Sequence, residues 1–143
     1  MVAIAVNAGE APELEAFLAQ RIHDFNMAAT GYYDAEDFSA SHHSESGVIE
    51  GGISGYIWGG CCFVSYLWVA GPCRGKGLGR DLMTAVERHA RDRRCRLVLL
   101  SSHSFQAPAF YARLGYTRVG CVDDYPVGHA DIFYSKRLDA DTA

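Results

Sequence analysis

The chain has 143 residues, the length of one ordinary domain, and its 49% hydrophobic and 21% charged residues are typical of a folded globular protein rather than a disordered or fibrous one. The formal net charge of -4 argues against a general nucleic-acid binder, because such proteins need a surplus of Lys and Arg to replace the counterions of phosphates. We therefore expect a single domain over residues 1–143, with no nucleic acid among its partners.

Nothing in the sequence predicts export or a membrane location. The N-terminal stretch MVAIAVNAGEAPELEAF has no basic segment followed by a sustained apolar run, and no stretch approaches the roughly 20 apolar residues that span a bilayer. We expect a soluble, cytoplasmic protein without a membrane partner. The cysteines are odd in number and form no CxxC pair, which predicts reduced thiols, and no cluster of His, Cys and carboxylates has metal-ligand spacing, so no metal is expected. The five cysteines are Cys61, Cys62, Cys73, Cys95 and Cys121.

The first half of the chain predicts a strand, a helix and then further strands. Val2 to Val6 predicts a short strand, and apolar residues at helical spacing predict an amphipathic helix from Pro12 to Ala29. The polar stretch from Gly31 to Ser46 ends in the turn composition SESG and predicts a hairpin. Two strands rich in β-branched and aromatic residues follow around the turn Gly59-Gly60, at Val48–Trp58 and Cys61–Val69.

The second half predicts a unit of strand, glycine loop, helix and strand. Gly71-Pro72 ends the preceding strand, and a glycine-rich loop leads into a helix from Leu78 to Arg94 with an apolar stripe. Arg96 to Leu100 is a nearly continuous apolar run, typical of a parallel strand buried on both faces, which favours a right-handed crossover. The remaining elements are a short helix over Gln106–Leu114, with Pro108 in its first turn and Gly115 at its end, and strands over Thr117–Val122 and Ile132–Leu138.

The order of these elements predicts the fold class. It is α/β (α+β), with a mixed, strongly twisted central sheet flanked by helices on both faces. Apolar edge strands near the C-terminus are compatible with a homodimer.

The glycine loop, Arg74–Arg80, predicts an anion site. Glycines at alternate positions let the backbone turn tightly and approach a ligand, while the following helix directs free N–H groups and its positive dipole end at that ligand. Three cations add positive charge, which suits a pyrophosphate. A glycine-rich surface turn with solvated cations is the alternative interpretation. The residues of the loop are Arg74, Gly75, Lys76, Gly77, Leu78, Gly79 and Arg80.

The spacing excludes two other nucleotide loops. The P-loop needs Lys followed by Ser or Thr, whereas Lys76 is followed by Gly77. The Rossmann fingerprint needs an acidic residue about 20 positions after its GxGxxG motif, and Cys95 and Arg96 stand at that distance here.

Two segments, LWVAGPCRGKGLGRDLM and SSHSFQAPAFYARLGYTRVG, resemble the two signature segments of the GNAT superfamily of acetyl-coenzyme A-dependent N-acetyltransferases. In that family the first segment is a strand, the pattern Arg/Gln-x-x-Gly-x-Gly/Ala and a helix, matched here by Arg74, Gly77 and Gly79. The second, FYxxLGY, is matched from Phe110 to Tyr116, and the run SFQAPAFY is similar to that of a bacterial SFQAPxFY-type subgroup. The motifs are specific only from about Leu67 to Gly120, although the order of elements agrees over nearly the whole chain.

The resemblance implies a GNAT-like acyl-CoA N-acyltransferase fold that takes acetyl-CoA as cosubstrate between the two parallel middle strands. It implies that backbone amides of the glycine loop hold the pyrophosphate and that main-chain groups near Trp68 and Val69 pair with the pantetheine arm. Ser104 stands where the family often has an Asn that binds this arm, and a hydroxyl has a shorter reach. Gln106 and Phe110 lie in the same matched segment and are expected at the cofactor.

Tyr111 occupies the position where the family would place the general acid. A departing coenzyme A thiolate benefits from a proton, and a phenol with a pKa near 10 can donate one at neutral pH. The alternative is that Tyr111 only packs the helix beneath the loop.

The acceptor is expected to be a small-molecule or peptide amine. An amine attacks a thioester only as the free base, so some residue must accept its proton. One candidate base lies near the middle of the presumed sheet, one at the C-terminal end of the last parallel strand, and three around the late hairpin. Aromatic residues with a few polar groups are typical of a small-molecule pocket. The candidate bases are Glu50, His103, Asp123, Asp124 and His129, and the candidate acceptor-binding residues are Tyr33, Trp58, Tyr125 and His129.

Several functions share these features. The first hypothesis is an N-acetyltransferase that transfers acetyl from acetyl-CoA to a primary amine by direct attack. An acyl-CoA-binding sensor or pseudo-enzyme of the same fold is the alternative, favoured by Ser104 and by the lack of an obvious base. Thioester hydrolysis or succinyl transfer would use the same loop, and a nucleotide-binding regulatory domain would predict that ATP competes with coenzyme A.

Overall fold

The computed structural model describes residues 2–139. They fall into two compact units, one ending at Tyr33 and the other beginning at Asp34. The single domain expected over residues 1–143 stays a prediction. None of the helices formed by residues 2–139 has the length and apolar composition needed to cross a membrane.

The N-terminal unit consists of one helix, α1 (Pro12–Thr30). Pro12 occupies its first turn, and the helix ends at Gly31, whose left-handed backbone (φ 76°) lets its N–H reach the carbonyl of Met27. The predicted helix is therefore confirmed. The strand predicted at Val2–Val6 is wrong, because a strand forms only where its backbone pairs with another, and no strand of the described chain pairs with these residues.

The second unit is a six-stranded mixed sheet in the order β1-β2-β3-β4-β6-β5. Only β3 and β4 are parallel, and all other neighbours are antiparallel, which confirms the predicted mixed α+β sheet with two parallel strands in its middle. The hairpin predicted at the SESG turn is also present, with the two strands before and after that turn paired. The strands are β1 (Glu36–His43), β2 (Ile49–Trp58), β3 (Cys61–Val69), β4 (Leu97–His103), β5 (Thr117–Asp123) and β6 (Ala130–Arg137).

Two helices pack on this sheet, α2 (Leu78–Asp92) between β3 and β4 and α3 (Pro108–Arg113) after β4. Helix α2 buries one stripe against the strands, as the periodicity predicts. Pro108 lies in the first turn of α3, and Gly115 follows its end with φ 90°. The core consists mainly of Ile53, Ile57, Cys62, Val64, Leu82, Met83, Val86, Ala90, Val98, Leu100, Ile132 and Tyr134.

The side that α2 and α3 cover is called here the helix face of the sheet. On β4 it carries Val98, Leu100 and Ser102, all buried, because alternate residues of a strand point to the same side. Leu97 and Leu99 are only half-buried, so β4 is not buried on both faces as its apolar run predicts. His103, at the carboxyl end of β4, points away from the helix face.

The parallel pairing of β3 with β4 is short. It joins Cys61–Phe63 to Leu97–Leu99 at three positions, after which the two strands diverge. Beyond this point, within residues 2–139, β3 pairs only with β2, in a register that skips Ser65, and β4 pairs only with β6. The gap between residues 64–69 of β3 and residues 100–103 of β4, called here the β3–β4 opening, is the place predicted for the cosubstrate.

The cysteines all lie within the described residues and are free. Cys62 and Cys95 are buried in the second unit. Burial raises the pKa of Cys62 to about 12, so it stays a thiol at neutral pH and serves as a small packing residue. The homodimer stays a prediction.

Candidate active site

The glycine loop begins at the carboxyl end of β3, beside the β3–β4 opening. A single 3-10 turn (Gly71–Cys73) leads into it, and α2 starts at Leu78. Gly75 and Gly77 have left-handed backbones, with φ 76° and 90°, which residues with a Cβ rarely adopt. The loop therefore needs glycine at both positions for its own conformation.

The loop fits a pyrophosphate. A Cβ added at Gly75 would meet nothing within 4 Å, so the surface above the backbone is open. The first intrahelical hydrogen bond of α2 comes from the N–H of Asp81 to Gly77, which leaves the preceding amides of residues 78–80 available to an anion. The side chains of Arg74, Lys76 and Arg80 add exposed positive charge around them.

Arg74 joins the loop to the end of β3. Its Nε donates a hydrogen bond of 2.9 Å to the carbonyl oxygen of Val69. A carbonyl oxygen has two lone pairs, so Val69 can accept a second donor. The structure thus brings Val69, predicted to pair with pantetheine, together with the predicted anion cradle, and Trp68 precedes it on β3.

Gly79 has a packing role that the sequence motif does not reveal. A Cβ at this position would lie 3.2 Å from the ring of Phe110, so glycine lets α3 approach the first turn of α2 closely. Phe110 therefore lies beside the loop through its contact with Gly79, and its role in binding the cofactor stays a prediction.

Tyr111 is 8% exposed and packs on the helix face of the sheet. Its ring lies 5.1 Å from Phe110, 6.0 Å from Tyr116 and 6.1 Å from Tyr134, centroid to centroid. Burial raises the pKa of Tyr111 above its usual value, which keeps its phenol protonated at neutral pH. This state is the one that a proton donor requires.

Ser104 and Gln106 hydrogen-bond within the chain. The Ser104 hydroxyl accepts a bond of 3.1 Å from the N–H of Ala130, at the start of β6. The side-chain carbonyl of Gln106 accepts a bond of 2.7 Å from the N–H of His103. Both side chains therefore hold the end of β4 in place, whatever they contribute to a cofactor.

The predicted acceptor-binding residues are not all brought together. Tyr125 and His129 lie in the loop between β5 and β6, next to the carboxyl end of β4. Trp58 pairs with Cys61, which in turn pairs with Leu97 at the start of β4. The carboxyl end of β4 is about 20 Å from that point, at 3.3 Å per residue, so Trp58 lies at the opposite end of the sheet. Tyr33 belongs to the N-terminal unit.

The candidate bases have very different surroundings. The carboxylate of Glu50 lies 3.4 Å from the ring of His42 on β1. Asp123 and Asp124 are exposed, and Asp124 accepts a bond of 3.4 Å from the N–H of Gly128 within its own loop. His103 is different because it lies in a cluster of aromatic and charged side chains.

The His103 cluster is formed by residues from β4, β6 and two loops. The His103 ring stacks on Phe105 with centroids 5.5 Å apart and meets the edge of Tyr125 at 5.1 Å. His129 contacts Phe105 at 4.9 Å. Asp131, which pairs with His103 across the strands, places a buried carboxylate oxygen 3.8 Å from His103 Nδ1.

Asp131 and Phe105 are not among the site residues predicted from the sequence. Asp131 is the second residue of the strand segment ADIFYSK, where no motif marks it, and Phe105 falls within the motif SFQAPAFY. The signal for Asp131 is the register of β4 with β6, which only the paired strands reveal. Residues 2–139 contain no group of three or more His, Cys, Asp or Glu side chains arranged to hold a metal ion.

Comparison with known proteins gives consistent matches. The sequence model of the acetyltransferase (GNAT) family matches residues 8–116. The chain is 38% identical to the blasticidin-S acetyltransferase of Streptomyces morookaense over 95 residues, which are 66% of this chain and 70% of that protein. The crystal structure of an acetyltransferase from Bacillus cereus is 34% identical, with a TM-score of 0.81, and covers 94% of this chain and 98% of its own. A structure from Agrobacterium tumefaciens is 25% identical, with a TM-score of 0.87 over 96% of this chain and 100% of its own.

Proposed function

Because this chain belongs to the acetyltransferase (GNAT) family, we propose that it is a cytoplasmic N-acetyltransferase that transfers acetyl from acetyl-CoA to a primary amine. One observation carries the proposal. The glycine loop, with two left-handed glycines and the first amides of α2, lies at the carboxyl end of β3, where β3 and β4 diverge. Ligands of open α/β sheets bind outside the carboxyl ends of such strands.

The residues of the loop would hold the cosubstrate by its pyrophosphate. Amides of residues 74–80 would donate hydrogen bonds, and Arg74, Lys76 and Arg80 would balance the negative charge. Main-chain groups of Trp68 and Val69 would pair with the pantetheine arm in the β3–β4 opening. Phe110 would border this site, and Ser104 and Gln106 would shape its far side.

Tyr111 is the proposed general acid. Bound acetyl-CoA supplies a thioester, whose sulfur departs as a thiolate when an amine attacks the carbonyl carbon. Tyr111 lies on α3, next to Phe110 and thus close to the loop, and its buried phenol stays protonated at neutral pH. It would donate that proton to the departing sulfur.

The acceptor is proposed to be the amine of a small molecule or peptide. The similarity to a blasticidin-S acetyltransferase favours a small molecule of the antibiotic type. Tyr125 and His129 lie at the carboxyl end of β4 and are available to contact it, whereas a role for Trp58 or Tyr33 stays a prediction.

The test is a calorimetric titration with acetyl-CoA, followed by a thiol-release assay over a panel of amines that includes antibiotics, polyamines and peptides. We expect binding and the release of free thiol with one class of amine. ATP serves as the control ligand, because a nucleotide-binding regulatory domain would bind it and this loop would not. Binding without release from any amine would favour the acyl-CoA sensor, and a protein that does not bind acetyl-CoA would contradict the proposal.

A further inference from the structure

We propose that His103 is the general base of this reaction and that Asp131 is a positioning residue that orients its imidazole. The inference rests on the proposed function, because a base is needed only if an amine acceptor is deprotonated. It depends on four observations: the hydrogen bond of the ring, the burial of Asp131, the packing around the ring and the place of His103 in the sheet.

The hydrogen bond determines which ring nitrogen carries the proton. Nδ1 of His103 lies 2.9 Å from the carbonyl oxygen of Tyr125. A carbonyl oxygen can only accept, so Nδ1 must carry the hydrogen of the neutral ring. The lone pair therefore lies on Nε2, which is the nitrogen able to take a proton from an amine.

Asp131 helps to orient the ring. Its side chain is 7% exposed, and Oδ1 has no hydrogen-bond partner within residues 2–139. That oxygen lies 3.8 Å from Nδ1 of His103. A carboxylate oxygen at this distance attracts the Nδ1 side of the ring and so helps to keep Nε2 directed away from Asp131. The contact therefore fits a positioning role for Asp131.

The surrounding rings hold the imidazole in one orientation. Phe105 stacks on one face with an interplanar angle of 12°, and Tyr125 meets it edge-on at 80°. The side chain of His103 nevertheless remains 25% exposed, so a substrate can reach it. A positioned ring with an accessible edge is what proton transfer requires.

His103 and Tyr111 lie on different sides of the sheet. Tyr111 packs against Tyr134 on the helix face, whereas His103 points to the opposite side at the end of the β3–β4 opening. The base must reach the attacking nitrogen and the acid must reach the departing sulfur, and these two atoms occupy different positions around the carbonyl carbon. Because His103 and Tyr111 lie on opposite sides of the opening, each can reach its own atom if the amine approaches from the side of His103.

These two residues account for both proton transfers of the reaction. As the carbon–nitrogen bond forms, Nε2 of His103 takes a proton from the amine. As the carbon–sulfur bond breaks, the Tyr111 hydroxyl gives a proton to the sulfur, which leaves as free thiol. His103 then returns its proton to solvent, and Tyr111 regains one from it.

The first test compares His103→Gln with His43→Gln. His43 is exposed at the end of β1 and has no part in the proposed site. We expect His103→Gln to lower kcat roughly 100-fold, in the range of general-base contributions, with acetyl-CoA affinity unchanged, and His43→Gln to act as wild type. We also expect added imidazole to restore part of the turnover of His103→Ala, which a purely structural role would not allow.

The second test examines Asp131 and the tautomer directly. Long-range proton–nitrogen NMR spectra of the folded wild type are expected to show His103 protonated at Nδ1 and bare at Nε2. Asp131→Asn is expected to lower kcat about 10-fold, corresponding to about 1.4 kcal/mol, without changing KM for the amine, and Asp131→Glu to recover part of the loss.

Different results separate the two proposals. A wild type that transfers acetyl to no amine would remove the proposed function and with it the role of His103. An active wild type with an equally active His103→Gln would overturn this inference alone. A His103 ring protonated at Nε2 would overturn it as well, independently of any assay of turnover.

Discussion

Tyr111 is a packing residue of the core and also the proposed general acid. It is buried among Phe110, Tyr116 and Tyr134, and the same burial keeps its phenol protonated. We predict that Tyr111→Phe lowers kcat roughly 100-fold, the range expected for a general acid, while the affinity for acetyl-CoA in calorimetry stays near that of the wild type.

Tyr116→Phe is the matched control for this substitution. Its hydroxyl is buried and has no hydrogen-bond partner in the described part of the chain, so its removal is expected to leave turnover intact and stability equal or slightly higher. An active Tyr111→Phe enzyme would show that Tyr111 only packs, and an equal loss of activity in both variants would indicate damage to the aromatic cluster rather than to a proton donor.

The glycine loop is the element proposed to bind the cosubstrate. Gly77 caps the start of α2 with a left-handed backbone, and a Cβ added there would lie 3.3 Å from the guanidinium of Arg80. We predict that Gly77→Val abolishes the binding of acetyl-CoA in a calorimetric titration. The cause is twofold: the strained backbone, at about 1 to 2 kcal/mol for a left-handed residue, and the filled cradle.

Gly60→Val separates these two causes. Gly60 is also left-handed, with φ 84°, and has open space around its Cβ position, but it lies in the turn between β2 and β3. It should lose a similar amount of stability in denaturant unfolding and still bind acetyl-CoA. Normal binding by Gly77→Val would mean that the pyrophosphate is held elsewhere.

At the scale of the second unit, a largely buried ion pair joins helix α2 to strand β6. Lys136 of β6 lies 2.7 Å from the carboxylate of Glu87 on α2 and donates to the carbonyl of Leu114 at the end of α3. The side chain of Lys136 is 24% exposed and that of Glu87 is 8% exposed. We predict that Lys136→Met lowers the free energy of unfolding by about 3 kcal/mol, because Glu87 is left charged and buried without its partner.

The double variant Glu87→Leu, Lys136→Met should recover most of this loss, since no buried charge remains. Arg137→Met, on the same strand, breaks only an exposed pair with Asp139 and should leave the denaturant midpoint unchanged. Equal destabilisation by Lys136→Met and Arg137→Met would show that strand β6, rather than the buried pair, explains the effect.

The fold was predictable wherever the pattern along the chain is local. Apolar spacing predicts α1, and the alternation of Gly-rich turns and β-branched runs predicts the strands of the sheet. The strand predicted at Val2–Val6 failed for the opposite reason. Its pattern is compatible with a strand, but strand formation depends on a neighbour that the sequence pattern cannot supply.

The glycine loop and the segment around Tyr111 could be identified from the sequence, because both consist of adjacent residues that form one local motif. Which distant residues meet depends on the folded chain. Folding placed Trp58 at the far end of the sheet, held Ser104 against Ala130 and set Asp131 beside His103. The pair of His103 and Asp131 depends on the register of β4 with β6. A shift of one residue in that register would turn one of the two side chains to the other face of the sheet.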